Sequence, residues 1–225
     1  MDAVKVRGRR AESAEATRAA VIAAAHAAFV EHGYGAATID DIARRAGVSR
    51  PTVFAVGGKA KLLAIARDVA MAGDLADVVV RDRASFQAVL AEVDPVTTLV
   101  AFARHVTAVA ARYAALDEVL RQGAGTDPDL QALWDESEVQ RRRAARLVVD
   151  DVRRKGELSL PAERAADVLW LLMAPDHHRR LTVGRSWSSA SYARWLGDAM
   201  VALLLAPTRD ARSGAAPQHE GEDRT

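Results

Sequence analysis

Residues Thr38 to Lys59, TIDDIARRAGVSRPTVFAVGGK, leave the backbone few paths, because caps, a turn glycine and small crossing residues follow one another at helical spacing. Thr38 is an N-cap residue type, and Asp41 three positions on approximates a capping box, so a helix is expected from Ile39. Its apolar face is Ile42, Ala43 and Ala46, with the small Ala43 where a second helix must cross closely. Gly47 accepts the left-handed conformation that turns the chain. Val48 plugs the corner, Ser49 caps the next helix, and Pro51 stands in its first turn, where a missing N–H costs nothing. Val53 and Val56 face inward, which leaves Arg50, Pro51, Thr52 and Phe54 outward. The pattern is a helix-turn-helix, and that outward face is the one such motifs insert into the major groove. An ordinary helical hairpin with a glycine turn is the competing reading, but it does not require all these features to agree.

The rest of the chain reads as further helices separated by proline, glycine and aspartate. A helix is expected from Lys59 to about Val79, linking the DNA-reading head to the helical body. A connection over Arg81 to Ser85 leads to a short helix over Phe86 to Glu92. Pro95 opens a long apolar helix reaching Leu116, and Asp117 to Gln122 form another short one ahead of Gly123 and Gly125. Asp127 with Pro128 is a cap followed by a first-turn proline, starting a helix that Gly156 ends after Lys155. Pro161 starts the next, Pro175 interrupts or restarts it after Met173, Gly184 closes it, and Ser188 or Ser189 begins the last, which ends near Leu205. The expected fold is all-α, with about nine helices. Its divisions are a basic disordered arm over 1–13, a three-helix helix-turn-helix domain over 14–62, a helical ligand-binding and dimerisation domain over 63–206, and a disordered tail over 207–225.

Composition limits the function classes. The chain has 225 residues, half of them hydrophobic, and no cysteine, which excludes disulfides, thiol nucleophiles and cysteine-ligated metals. Its longest apolar runs, near 168–175 and 199–207, fall short of the roughly 20 residues of a membrane span. MDAVKVRGRR has no apolar stretch after its basic residues, so it is not expected to be a signal peptide, and a cytoplasmic location fits. Residues 1–61 carry ten Lys and Arg against six Asp and Glu, so the head is at +4 although the whole chain is at +1. Phosphate neutralisation supplies much of the affinity of DNA-binding proteins, and the asymmetry has the matching sign. Lys5, Arg7, Arg9 and Arg10 read either as an arm that reaches along DNA or as a solvated tail. No GxSxG elbow, HExxH pair or phosphate-binding glycine loop is present, so no enzyme is expected. His177 and His178 are adjacent rather than four apart, so no metal and no cofactor are expected.

From Thr17 to Leu63 the sequence resembles the DNA-binding domain of the TetR family of bacterial transcriptional regulators. The likeness rests on the Ala24, Ala25 and Phe29 stripe of the first helix, the Gly33-Tyr34 exit, the Thr38 cap, the AGVS turn and the lysine opening the fourth helix. One departure stands out: where the family has a tyrosine–phenylalanine pair, a polar turn and lysine, this chain has Phe54, Ala55, Val56, Gly57, Gly58 and Lys59, one residue shorter and without the tyrosine hydroxyl. The C-terminal segment from Ala166 to Leu205 is similar to the last helices of many actinobacterial members.

The resemblance implies a homodimeric repressor, released from a palindromic operator by a small-molecule effector. Thr38 and Ser49, with backbone amides, are expected on phosphates, and Lys59 likewise. Arg44 and Arg45 are expected near phosphates. Arg50 and Thr52 are the candidate base-edge contacts, beside Pro51, and Phe54 touches a thymine methyl or packs on the sugar backbone. The effector pocket is expected among Met71, Phe102, His105, Trp134, Trp170, Met173 and His177, each of which is equally a natural core residue. Val168, Leu169, Leu171 and Leu172, with Trp195, Leu196, Met200, Leu203 and Leu204, are expected to form a four-helix dimer interface through the last two long helices. The alternative is a helical protein-interaction module without sequence-specific DNA binding.

Overall fold

The computed structural model describes residues 2–73 and 82–207, with side chains from residue 12 onward. Ten α-helices lie among the described residues: α1 (Asp2–Ala36), α2 (Ile39–Ala46), α3 (Arg50–Val56), α4 (Lys59–Ala72), α5 (Ala84–Leu90), α6 (Pro95–Ala124), α7 (Pro128–Lys155), α8 (Ala162–Leu172), α9 (Pro175–Thr182) and α10 (Ser189–Leu204). The protein is all-α, and among the described residues one antiparallel bridge, Leu158 with Leu205, ties the α7–α8 connection to the end of α10.

Several boundaries follow from the residues that mark them. Asp94 caps α6 by accepting from the amides of Val96 and Thr97, and Asp127 caps α7 by accepting from those of Asp129 and Leu130. Both are followed by a first-turn proline. Ser188 caps α10 by accepting from the Ser191 amide. The main departure is α6, which runs unbroken for 30 residues where two helices were expected. Asp117 does not start a new helix. It lies on the buried face that Tyr113, Leu116, Val119 and Leu120 continue, and neither proline nor glycine interrupts the chain before Gly123. Helix α4 is shorter than expected, ending at Ala72 with Gly73 at φ 88°, and the segment to Val79 lies outside the described residues. Helical backbone begins at Asp2, so residues 2–13, expected as a disordered arm, continue α1; only Gly8 in that stretch disfavours a helix. The tail beyond Pro207 lies outside the described residues.

Two hydrophobic clusters organise the molecule. The first joins α1 to α4 through Ala25, Phe29, Ile42, Val53, Leu62 and Leu63, and extends to Leu116 and Leu120 of α6 and Leu130 of α7. The head is therefore packed on the rest of the chain, because α6 supplies part of its core. The second cluster joins α5, α6, α7, α8 and α10 through Phe86, Phe102, Val148, Leu169, Tyr192 and Met200. Helix α6 spans both clusters. Polar ties reinforce the join: the buried Arg67 of α4 donates to the Leu133 carbonyl at 3.1 Å and to Ser137 Oγ at 2.8 Å on α7, and Arg112 of α6 donates to the Ala70 carbonyl at 3.0 Å.

Candidate nucleic-acid interface

Helices α2 and α3 with the turn between them form the expected motif. Thr38 Oγ1 accepts from the Asp41 amide at 3.1 Å. Gly47 adopts φ 66°, and the Val48 amide closes the corner on the Ala43 carbonyl at 3.0 Å. A side chain at Gly47 would meet the strain of left-handed backbone even though the space is open. Ser49 Oγ accepts from the Thr52 amide at 3.4 Å and lies 2.8 Å from Thr52 Oγ1. Val53 is fully buried and Val56 partly so, while Arg50, Pro51 and Phe54 stand in solvent. Phe54 is 54 % exposed, a large apolar side chain held outward by its place on α3. Gly57 is extended, and its amide donates to the Val53 carbonyl at 3.1 Å.

The cations of the motif are mostly committed to partners within the chain. Arg44 pairs with Asp41; Arg45 reaches the same carboxylate at 2.7 Å and Glu31 at 2.8 Å. Burial works to raise the Asp41 pKa, but the hydrogen bond and charge of Arg45, with the charge of Arg44, hold it below the usual carboxylate value. Arg50 Nε lies 3.1 Å from Asp40 Oδ1. Lys59 turns back toward α1: its ammonium donates to the Gly35 carbonyl at 3.2 Å and sits 4.4 Å from the centre of the Tyr34 ring. Burial lowers the Lys59 pKa, against the opposing charge of Asp127.

Beside α3 lies an open cleft of about 750 Å³ whose polar lining is Ser13, Thr17 and Arg18 from α1, Thr52 from α3 and Lys61 from α4. Apart from Thr52, the sequence reading overlooked these residues. A cation at the first turn of α4, two residues beyond Lys59, was the available signal.

The expected effector residues divide between the two hydrophobic clusters. Met71 and Trp134 pack on the first cluster, whereas Phe102, Trp170 and Met173 belong with the second. Phe102 is in the core itself, and His105 packs against it and Phe86, with ring centres 6.2 and 5.7 Å away. Trp170 Nε1 donates to Glu138 at 3.0 Å, and Arg142 lies 4.5 Å above its ring. His177 is half-buried on α9, its Nδ1 without a hydrogen-bond partner among the described residues. Neither the cleft beside α3 nor a smaller groove of about 360 Å³ between α4 and α7 is lined by any of the seven.

On the expected dimer helices, Leu169, Leu196, Met200 and Leu204 are buried within the chain. Leu171, Trp195 and Leu203 are exposed. Trp187, just ahead of α10, meets Trp195 edge-on with centroids 6.1 Å apart. No helix among the described residues is long and apolar enough to cross a membrane.

Residues 21–56 match the model of the family described as bacterial regulatory proteins, tetR family. No curated protein matches the chain. Among solved structures, NalD of Pseudomonas aeruginosa, the secondary repressor of the MexAB-OprM multidrug efflux pump, is similar over 86% of this chain and 98% of its own, with a TM-score of 0.63 and 19% identity. A candidate TetR-family transcriptional regulator from Mesorhizobium loti is similar over 86% of this chain and 98% of its own, with a TM-score of 0.62 and 18% identity. A transcriptional regulator from Rhodococcus sp. Rha1 covers 83% of this chain and 95% of its own, with a TM-score of 0.58 and 18% identity. Residues 21–56 thus match the tetR-family model, and the chain shares its overall fold with these solved transcriptional regulators.

Proposed function

We propose that the protein is a homodimeric repressor that binds a palindromic operator and leaves it when a small molecule binds the helical body. The observation that carries this reading is the geometry of α2 and α3, whose caps and turn leave Arg50, Pro51 and Phe54 exposed, with Thr52 half-buried beside them, at a helix N-terminus. Arg50 and Thr52 read base edges, Phe54 meets a thymine methyl or the sugar backbone, and Thr38, Arg44, Arg45, Ser49 and Lys59 approach phosphates. For Arg44, Arg45, Arg50 and Lys59 this requires exchanging an internal partner for DNA.

A two-fold operator calls for two heads about 34 Å apart, hence a dimer. The exposed Leu171, Trp187, Trp195 and Leu203 support pairing through α8 and α10. Release follows if the effector binds the head spacing that cannot hold the operator more tightly than the spacing that can. Helix α4 transmits the change, since Arg67 fastens it to α7 and Arg112 fastens it to α6. NalD, a repressor of the same fold, supports the sign of regulation proposed here. A protein of this kind works in the cytoplasm, on chromosomal DNA.

The test is release from a selected duplex. Compounds that raise the melting temperature are added to the protein–duplex complex, and anisotropy of the labelled duplex is followed. An effector is expected to lower operator affinity by a factor of 5 to 150 or so. Stabilising compounds that bind free and operator-bound protein equally would remove the induction half of the proposal.

A further inference from the structure

We propose that the cleft between α1, α3 and α4 seats backbone phosphates of bound DNA, with Arg18 and Lys61 as its cations. This rests on the DNA-binding reading above and extends it to residues outside the helix-turn-helix. Residues 12–61 contain six Lys and Arg. Four of them, Arg44, Arg45, Arg50 and Lys59, are held by Asp41, Glu31, Asp40 or the Gly35 carbonyl. The other two, Arg18 and Lys61, have no ion-pair or hydrogen-bond partner among the described residues, and both line this one cleft.

The cleft is built for an anion. Among the described residues no carboxylate lines it, although Lys61 also borders the smaller groove on its other side, where Asp129 and Glu136 stand. Its third wall is α3 at Thr52, so an anion in the cleft lies beside the helix that reads bases. Thr17 Oγ1 donates to the Ser13 carbonyl at 2.8 Å and Thr52 Oγ1 lies 2.8 Å from Ser49 Oγ, so both hydroxyls have internal partners and the two cations carry the attraction. The glycine turn contributes as well. A Cβ at Gly57 would come within 3.0 Å of Cβ, Cγ and Cδ of Lys61, so the bare turn lets the Lys61 stem lie across the α3–α4 connection.

The test compares wild type, Arg18→Ala, Lys61→Ala and the double variant on a selected duplex and on an unrelated one, between about 50 and 300 mM salt, with ethylation interference to identify contacted phosphates. Both side chains are solvent-facing, and circular dichroism checks that the fold is kept. Each single change is expected to lower the slope of log affinity against log salt by about 0.9, and the double change by about twice that. Specific and non-specific affinity should fall by one common factor, and interference should disappear at particular phosphates. Arg146→Ala, removing a cation of α7 paired with Glu163, should change none of these. A wild-type slope and interference pattern in the double variant would overturn the proposal while leaving the DNA-binding reading standing. If wild type bound no duplex, that reading would fall and the cleft's DNA role with it. Inorganic phosphate is titrated separately: binding lost in the double variant, with DNA binding untouched, would make the occupant a free anion and overturn the DNA assignment.

Discussion

Arg50 Nε of the recognition helix α3 lies 3.1 Å from Asp40 Oδ1 of α2. Both side chains are well exposed, so the pair adds only about 0.2–1 kcal/mol to stability. Its larger effect falls on DNA binding, because the carboxylate both occupies the guanidinium and repels phosphates. Asp40→Asn is therefore expected to raise affinity for specific and unrelated duplexes alike, by roughly three- to tenfold at low salt and less as salt screens the charge. Anisotropy at two salt concentrations checks this. Unchanged or weaker binding would mean that Arg50 does not approach DNA.

Arg50→Ala should behave differently. It is expected to cost about 1–3 kcal/mol on the preferred site and to relax preference at one base position. Measured on a panel of single-base operator variants, an equal loss on specific and non-specific DNA would rule out base reading by Arg50.

Arg67 is buried, and its guanidinium is shared among Asp68, the Leu133 carbonyl and Ser137. Arg67→Met keeps most of the volume but strips the α7 acceptors of their donor, an expected cost of about 2 kcal/mol in urea unfolding. Ser137→Ala should cost less. A fully stable Arg67→Met protein would show that the tie between head and body contributes nothing to stability.

Burial lowers the pKa of both His105 and His178, with the Arg112 charge adding to the effect at His105. Each stays neutral in the folded chain at a pH where the unfolded chain takes up a proton. Their contribution is thus complete above the unfolded value of about 6.5 and is lost as pH falls below it. Melting temperatures between pH 8 and 5.5 should show a plateau and then a decline. The decline should be shallower in His105→Leu and His178→Leu, and an identical decline in those variants would assign it to other groups.

Asp117 has the opposite slope. Burial raises its carboxyl pKa, outweighing the Tyr113 hydrogen bond and the Arg141 charge. In the window above the unfolded value of about 3.9 the folded chain binds more protons, so this group's contribution falls as pH rises. Asp117→Asn, which preserves an acceptor for Tyr113, is expected to melt at or above the wild-type temperature at pH 7. A lower melting temperature would show that the ionised carboxylate is the stabilising form.

Much of the fold was legible because its signals are local. Thr38, Gly47, Ser49, Pro95, Asp127 and Ser188 each act within about four residues of themselves, and all mark boundaries where the sequence placed them. Local signals also misled: Asp117 and Glu118 resemble a helix start, yet the apolar face of α6 carries through them. The partners of Lys59 and Arg67 were not legible, being 24 and 70 residues away. Helical periodicity also could not show that Trp134 and Trp170 belong to different clusters, nor that Arg18 and Lys61 line one cleft beside α3.

The most direct test is selection of bound sites from a random duplex pool, with the mass of the protein and its complex measured in solution. A palindromic or near-palindromic site held by two chains is the expected result, with Leu203→Asp shifting the protein toward monomer and weakening the complex. Absence of enrichment at moderate salt, or a single chain bound to a site without two-fold symmetry, would contradict the dimeric regulator proposed here.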